Sequence, residues 1–225
     1  MVVLILDTAT AAVTAGLAWV DPAGVEVRAE RVTLDARKHG EVLSPAIRDC
    51  LAEAGAKPAE LAAVVAGVGP GPFTGLRVGL VTAAAFAEAL RLPTYGVCTL
   101  DAFVPPGQDA PYLVATDARR REVYWAGYAP DGQRLTGPAV DKPDAVRDWL
   151  DAQPSGPRWA AGAGARLYAD VLGLPVRGVD RPDVRLLAGR AADRILGTAP
   201  SEPLTPLYLR RPDAVEPTAR KVVLR

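Results

Sequence analysis

The first candidate for chemistry is an acidic, hydroxyl-rich turn that follows the first apolar run of the chain. Asp7, Thr8 and Thr10 could place a carboxylate and two hydroxyls beside a bound phosphate and its metal ion. Asp7 could instead cap its own turn, because an aspartate side chain readily accepts a hydrogen bond from the backbone two residues further on. Both interpretations stay open, and these three residues are the candidate cofactor-binding residues under the first.

A loop rich in glycine and proline, Gly69–Gly75, is the second candidate. It is not a Walker A loop, since no Gly-Lys-Ser/Thr follows it, and it is not Gly-x-Gly-x-x-Gly, since its sixth position is Thr74. Pro70 and Pro72 also remove two of the backbone N–H groups that a phosphate cradle would use. The loop is therefore predicted to be structural.

Histidine and cysteine are too sparse for most metal and nucleophile chemistry. The chain has one histidine, His39, and two cysteines, Cys50 and Cys98, which fall in separate elements. A catalytic zinc or iron site normally needs two or more such ligands close together, and no Gly-x-Ser-x-Gly elbow supports a hydrolase triad. The sequence predicts no metal site, no cofactor and no catalytic residue acting in this chain alone, and a peptidase is the weakest hypothesis.

A charged turn leads into an aromatic strand in the second half of the chain. Asp117 is followed closely by Arg119, Arg120 and Arg121, and then by a Tyr-Trp pair. Adjacent arginines could contact phosphate groups. Alternatively, the segment is a solvated hairpin turn in which Asp117 pairs with one arginine, and the sequence does not decide between the two.

Composition limits the class of protein. The 225 residues are 49% hydrophobic and carry no net charge, so a packed core is expected and no global attraction to nucleic acid is. The two cysteines are predicted to be free thiols of a reducing compartment. The first residues are predicted to form a strand rather than a signal peptide, and no apolar run reaches transmembrane length. We therefore expect a cytoplasmic protein with no membrane contact.

Hydrophobic periodicity predicts an α/β chain whose second half weakly echoes the first. The predicted strands are 2–6, 13–20, 25–34, 63–68, 94–97, 112–117, 122–129, 133–138 and 158–161. The predicted helices are 45–54 with a looser lead-in from residue 41, 74–90 capped by Thr74, 145–150, 164–172 and 184–196. A proline-rich, extended tail follows Gly197, and its apolar residues 207–209 are expected to lie along the body.

The predicted helix 74–90 has almost no charge. Gly75, Gly79, Ala83 and Ala87 recur every four residues, so they form one stripe of small side chains along which another backbone can approach closely. A helix that is apolar all round must be covered on more than one side. The second cover could be this chain's own core or another protein.

Four motifs in this order and spacing resemble the TsaB, or YeaZ, family of the threonylcarbamoyladenosine tRNA-modification system. They are Asp7-Thr-Ala-Thr, His39-Gly-Glu-x-Leu-x-Pro-x-Ile, Gly69-Pro-Gly-Pro-Phe-Thr-Gly-Leu-Arg-Val-Gly and Asp117-Ala-Arg-x-x-Glu-Val-Tyr. The resemblance covers most of the chain, and the glycine-rich motif is its most specific part. It departs from the family at Pro72, where a serine is usual.

The resemblance implies an α/β, two-lobed actin-like (ASKHA, ribonuclease-H-like) fold with mixed sheets flanked by helices. It implies an N-terminal lobe over residues 1–98 with the dimerisation helices, and a C-terminal lobe over 99–225 that ends in the proline-rich tail. The family is related to the catalytic subunit TsaD, in which a pair of histidines binds the metal. The corresponding region of this chain holds only His39.

The function implied is that of a non-catalytic partner. Such a protein pairs with TsaD, is joined by the ATPase TsaE, and contacts tRNA through the complex that transfers the threonylcarbamoyl group to the adenosine beside the anticodon. Alone, it could form a homodimer through the same apolar face. The alternative is an actin-like small-molecule kinase or ATPase that holds Mg-ATP at Asp7.

The family's dimer uses the first two helices of the N-terminal lobe, which correspond here to about 45–54 and 74–90. The predicted interface and adjoining core residues are Leu43, Ile47, Leu51, Gly75, Leu76, Gly79, Ala83 and Phe86. The sequence does not separate interface from core among them. We expect Gly79→Leu to block pairing while leaving a folded monomer.

Overall fold

The computed structural model describes residues 1–34 and 39–210, and within this part of the chain the strands form two mixed sheets. The first sheet contains β1 (Val2–Asp7), β2 (Ala12–Asp21), β3 (Gly24–Leu34), β4 (Leu61–Gly67) and β5 (Thr94–Val97), in the order β3-β2-β1-β4-β5. The second contains β6 (Tyr112–Asp117), β7 (Val123–Tyr128), β8 (Arg134–Asp141) and β9 (Trp159–Ala161), in the order β8-β7-β6-β9. The α-helices are α1 (His39–Glu53), α2 (Phe73–Leu90), α3 (Pro143–Asp151), α4 (Ala163–Leu167), α5 (Ala169–Leu172) and α6 (Val184–Leu196).

The second sheet repeats the topology of the first, which confirms the predicted echo between the two halves. In each sheet the first three strands form an antiparallel meander, and the fourth pairs parallel to the first. The fifth position is filled by β5 in the first sheet. In the second sheet it is reduced to a single parallel bridge between Ala160 and Val176.

The central strand β1 is a continuous apolar run because both of its faces are covered. Leu4 and Leu6 face the layer formed by α1 and α2, and Val3 and Ile5 face α6. All four side chains are buried. The turn after β1 is therefore fixed between two helical layers.

The two lobes exchange covering segments. The segment after β5 crosses to the second sheet, where Leu100 and Phe103 pack against Tyr112 and Tyr128. Helix α6 crosses back and packs Val184, Leu187 and Ala191 against the first sheet. The C-terminal lobe predicted from sequence, residues 99–225, thus contains a helix that belongs to the core of the first lobe.

A polar cluster around Asp101 joins the lobes. The Asp101 carboxylate accepts hydrogen bonds from the Tyr128 hydroxyl at 2.8 Å and from Arg134 Nε at 3.0 Å. Arg190 of α6 donates from Nε to the Asp101 carbonyl at 3.1 Å. Burial raises the pKa of Tyr128 well above its ordinary value, so its hydroxyl keeps the proton that it donates.

Several predicted boundaries differ from those in the structure. Helix α1 begins at His39 rather than Pro45, because packing of Leu43 on the sheet extends the helix through the proline. The side chain of His39 lies outside the description, as do residues 211–225. Pro72, not Thr74, precedes the first residue of α2, and the predicted helix 164–172 is two short helices separated at Tyr168.

The described part of the tail lies along the body, as predicted. Glu202 N–H donates to the Thr94 carbonyl at 2.9 Å, and Leu207 N–H donates to the Val68 carbonyl at 2.8 Å. Leu204 and Leu207 pack against the core beneath α1 and α2. The tail therefore extends the covered surface of the first lobe as far as the start of α2.

Candidate functional site

The inward face of α2 contains the predicted stripe of small residues together with Leu76 and Leu80, and its first turns pack on the turn after β1. Gly79 N–H donates to Thr8 Oγ1 at 3.0 Å, and Thr8 Oγ1 donates to the Gly75 carbonyl at 2.7 Å. A Cβ atom at Gly79 would overlap the Thr8 hydroxyl. The stripe thus allows a close approach, but what approaches is the Thr8 side chain of this chain's own turn.

The eight residues predicted for the interface lie mostly in the core of the first lobe. The buried ones are Leu43, Ile47, Gly75, Leu76, Gly79 and Ala83. Leu51 and Phe86 are half-buried and pack on the edge of the same cluster. The expectation that Gly79→Leu would leave a folded monomer is wrong on this geometry, because the added side chain has no space inside the lobe.

The outer face of α2 is the surface that sequence analysis did not identify. Its exposed residues are Phe73, Thr74, Arg77, Val81, Ala84, Ala85, Glu88 and Ala89. Val81, at the middle of the helix, is 66% exposed. From Val81 to Ala89 the exposed residues are apolar apart from Glu88, and no part of the described chain covers them.

Helix α1 lies beside α2 on the same face of the first sheet and is more polar outward. Its exposed side chains include Glu41, Ser44 and Arg48, whereas Val42 and Leu51 are half-buried towards α2. We call the exposed surface of the two helices the α1–α2 face. Its apolar part is contributed mainly by α2.

Helix α2 is also, by length and composition alone, apolar enough to cross a membrane. Within the described chain its apolarity has a more direct explanation. Gly75, Leu76, Gly79, Leu80, Ala83 and Ala87 are buried against the first sheet. Core helices of soluble proteins can be equally long and apolar, so these two properties do not assign α2 to a membrane.

The carboxylate of Asp7 has a structural role. Its Oδ1 accepts a hydrogen bond from Ala9 N–H at 3.0 Å, and its Oδ2 accepts one from the Thr99 hydroxyl at 2.7 Å. The side chain is only 1% exposed. The Asx-type turn considered from sequence is therefore present, and it ties β1 to the segment that crosses to the second lobe.

The two hydroxyls of the same turn are also engaged. Thr8 binds α2 as described above, and Thr10 Oγ1 accepts a hydrogen bond from Ala12 N–H at 3.1 Å. Of the three candidate cofactor residues, only Thr10 reaches the cleft between the lobes. The structure does not bring the three together around one open site.

The interlobe cleft has a volume of about 780 Å³ and lies between the start of α2 and the end of β6. Phe73 and Thr74 line it from the first lobe, and Thr116, Asp117 and Arg119 line it from the second. Among the residues described, the Thr116 hydroxyl has no hydrogen-bond partner, and it is buried beneath the cleft surface. The cleft therefore offers an apolar wall and a small number of polar atoms.

The arginine turn between β6 and β7 stands at the edge of this cleft. Arg119, Arg120 and Arg121 all have left-handed backbone conformations, with φ of 62°, 54° and 60°. Glu122 N–H donates to the Arg119 carbonyl, and Arg119 N–H donates to Asp117 Oδ1, so the turn is held from both ends. All three arginine side chains are exposed.

An aromatic cluster lies at the start of α2, where Phe73 lines the cleft. The rings of Phe73 and Tyr208 lie 5.1 Å apart, and the guanidinium carbon of Arg77 lies 3.9 Å from the centre of the Phe73 ring. Arg77 Nε donates to the Tyr208 hydroxyl at 2.9 Å. The apolar residues of the tail indicated that it binds the body, but no sequence pattern placed Tyr208 at the start of α2.

The two cysteines are buried thiols. Burial raises the pKa of Cys50 to about 11 and that of Cys98 to about 12. The Cys50 thiol is directed at the Ala15 carbonyl on the inward side of α1, at 3.4 Å. Among the residues described, no three His, Cys, Asp or Glu side chains form a metal-binding group.

Comparisons with known proteins agree with this architecture. Residues 28–176 match the family model described as TsaD, tRNA N6-adenosine threonylcarbamoyltransferase. The chain is 34% identical to the tRNA threonylcarbamoyladenosine biosynthesis protein TsaB of Escherichia coli over 180 residues, which is 76% of this chain and 75% of that protein.

Two further relatives cover nearly the whole chain. An uncharacterized protein of Mycobacterium tuberculosis is 50% identical over 213 residues, covering 94% of this chain and 93% of its own length. A crystal structure from Pseudomonas aeruginosa, described as similar to peptidase YeaZ, has a TM-score of 0.74 at 27% identity, covering 93% of this chain and 99% of that one. With its two-lobed, actin-like and ribonuclease-H-like α/β fold, the chain belongs to the TsaB (YeaZ) family.

Proposed function

We propose that this protein is a partner subunit in threonylcarbamoyladenosine formation on tRNA, with no catalytic residue of its own. It pairs with TsaD through the α1–α2 face, and TsaE joins the pair. The name of the Escherichia coli relative supports the pathway. A cytoplasmic location is part of the proposal, because free thiols such as Cys50 and Cys98 are typical of a reducing compartment.

The observation that carries the proposal is the outer face of α2. Its inward face is fully used by this chain, so the apolar residues that remain outside, such as Val81 and Ala85, have no role in the described fold. The helix has 18 residues and is therefore about 27 Å long, enough to form the centre of a helix-on-helix interface. Exposed apolar patches of this kind mark protein-binding surfaces.

The relationship to TsaD supports this choice of partner. Residues 28–176 match the TsaD family model, and this range contains both α1 and α2. A related partner presents an equivalent pair of helices, and two such pairs can pack about a pseudo-twofold axis. The same geometry allows a homodimer when TsaD is absent.

The rival function, a kinase or ATPase with Mg-ATP at Asp7, is disfavoured by the site itself. The Asp7 carboxylate is buried and bonded to Ala9 and Thr99, so it does not face the cleft in which a nucleotide would lie. Calorimetry with Mg-ATP tests the rival directly. Micromolar binding that is lost in Asp7→Asn would support the kinase over the partner subunit.

Substitution of Val81 by aspartate tests the proposed pairing. A carboxylate at this position would have to be desolvated in the heterodimer but stays in water in the free chain. We expect Val81→Asp to weaken the Kd for TsaD at least about tenfold, a change of about 1.4 kcal/mol. The readout is size-exclusion chromatography and calorimetry with TsaD from the same organism.

Leu167→Asp is the matched control, since Leu167 is a helical apolar residue of similar exposure, 61%, in the other lobe. It should bind TsaD as the unsubstituted chain does. Equal affinity of Val81→Asp and the unsubstituted chain for TsaD would contradict the proposed interface. Failure of the unsubstituted chain to bind TsaD at all would contradict the proposed function.

A further inference from the structure

We propose that the arginine turn 119–121, together with Phe73 and Tyr208, forms a contact site for unpaired RNA at the mouth of the interlobe cleft. The inference rests on the proposed function, which makes an RNA the substrate of the assembly. It goes beyond that function by assigning an RNA contact to this subunit and to particular residues. We call these five residues the cleft-mouth patch.

The backbone of the turn is the first observation. Three successive arginines have left-handed backbone conformations, which residues other than glycine, asparagine and aspartate rarely adopt. A turn selected only for folding would use glycine or asparagine at such positions. Strained conformations of this kind concentrate where the side chains have a function, and here the side chains are cationic and exposed.

The charge around the turn is the second observation. The carboxylate of Glu122 is taken by an ion pair with Arg210, whose side chain also donates to the Ala118 carbonyl. Asp117 accepts from the backbone of Arg119, and its ion pair with the Arg119 side chain is long, at 3.9 Å. Asp117 and Glu122, the acids next to the turn, therefore neutralise little of the positive charge of Arg119 and Arg121.

The aromatic cluster is the third observation. Phe73 is 38% exposed and Tyr208 is 41% exposed, although aromatic rings usually bury more of their surface. Phe73 and Arg119 both line the cleft, and only Leu209 separates Tyr208 from Arg210, which binds the turn. Phe73 and Arg119 therefore bring the aromatic and basic halves of the patch to the same cleft.

This combination fits unpaired RNA. Proteins hold single strands by placing cationic side chains along the phosphates and flat rings against the bases. A duplex keeps its bases stacked and would use only the arginines.

The test measures RNA affinity of the full chain and of its complex with TsaD. The probes are a fluorescent anticodon stem–loop RNA and a perfectly paired RNA hairpin of the same length. Arg120→Glu/Arg121→Glu should weaken binding of the stem–loop at least about tenfold and reduce the slope of log K against log salt by about 1 to 2. Arg28→Glu/Arg158→Glu, with the same charge change at other exposed positions, should leave the affinity unchanged.

A second pair of variants tests stacking. Tyr208→Leu should weaken binding of the stem–loop about fivefold and leave the paired hairpin unaffected, while Tyr208→Phe keeps the ring and should bind normally. Unchanged affinity in Arg120→Glu/Arg121→Glu would overturn the inference, as would equal losses on both RNAs in Tyr208→Leu.

Pairing with TsaD and threonylcarbamoyl transfer are measured on the same samples. Normal pairing and transfer together with unchanged RNA affinity in the arginine variant would refute this inference and leave the proposed function standing. Absence of pairing in the unsubstituted chain would refute the proposed function.

Discussion

The two faces of helix α2 differ in what covers them. The inward face combines Leu76 and Leu80 with a stripe of small residues, and it lies so close to the turn after β1 that Gly79 N–H bonds the Thr8 hydroxyl. The outer face carries both charged residues of the helix, Arg77 and Glu88, and is otherwise mostly apolar, but beyond Arg77 it lies open. The inward face is therefore required for folding, and the outer face is available to a partner.

The comparison shows why low charge alone does not identify an interface. A helix that is apolar on every side provides no polar face from which its orientation can be deduced. The residues with the most suggestive spacing, Gly75, Gly79 and Ala83, are needed inside the lobe. Residues outside that spacing, such as Val81, form the exposed surface. Substitutions on the inward face should therefore lower the stability of the chain, whereas substitutions on the outer face should weaken pairing.

The largest effect is expected for Gly79→Leu. The new side chain would overlap the Thr8 hydroxyl and displace α2 from the first sheet. We expect the free energy of unfolding to fall by about 3 kcal/mol or more, measured by urea denaturation. A soluble variant with a free energy of unfolding close to that of the unsubstituted chain would show that the two faces are not different.

Thr8→Val should have a smaller effect of the same kind. Valine keeps the volume but removes the hydroxyl that bonds both Gly75 and Gly79. Loss of this buried bridge should cost about 1–2 kcal/mol of unfolding free energy. Thr8→Ser, which retains the hydroxyl, should recover part of the loss, and identical values for the two variants would argue that the bridge is unimportant.

The two buried thiols, Cys50 and Cys98, should produce a dependence on alkaline pH. Their folded pKa values, about 11 and about 12, exceed the ordinary value of 9.0, so the folded chain keeps protons that the unfolded chain releases. Stability is then constant below about pH 8 and falls as the pH rises through 9 towards 11.

The measurement compares urea unfolding at about pH 8 and 9.5, below the ordinary pKa of tyrosine. Cys50→Ala/Cys98→Ala is the control. This variant should be less stable at both values of pH because it loses buried volume. The difference between its free energies of unfolding at the two values of pH should be smaller than in the unsubstituted chain. An equal pH dependence in the control would show that other groups are responsible.

Much of the fold follows from local pattern. The apolar run of β1 predicts a strand covered on both faces, and the order of strands and helices indicates a mixed sheet repeated twice. The return of α6 to the first lobe could not be predicted, because it depends on contacts with residues more than a hundred positions earlier. The Asx turn at Asp7 was one of two interpretations, and only the contacts of its carboxylate with Ala9 and Thr99 distinguish them.

The site was less predictable than the fold. The sequence pattern located the two helices, but it did not show which of their residues face outward. That depends on how closely α2 packs on Thr8. Phe73 and Tyr208 come together across the length of the chain. The hydrophobic periodicity within either segment does not predict that contact.

A thiol at position 81 gives the most direct test of the division between the two faces. The native cysteines are buried, so they react slowly with a maleimide, whereas Val81→Cys places an exposed thiol on the outer face of α2 with little effect on stability. We predict rapid labelling of free Val81→Cys and at least about tenfold slower labelling when TsaD is bound, with complex formation verified by size-exclusion chromatography. Equally rapid labelling in the free and TsaD-bound states would contradict the assignment of this face to the partner.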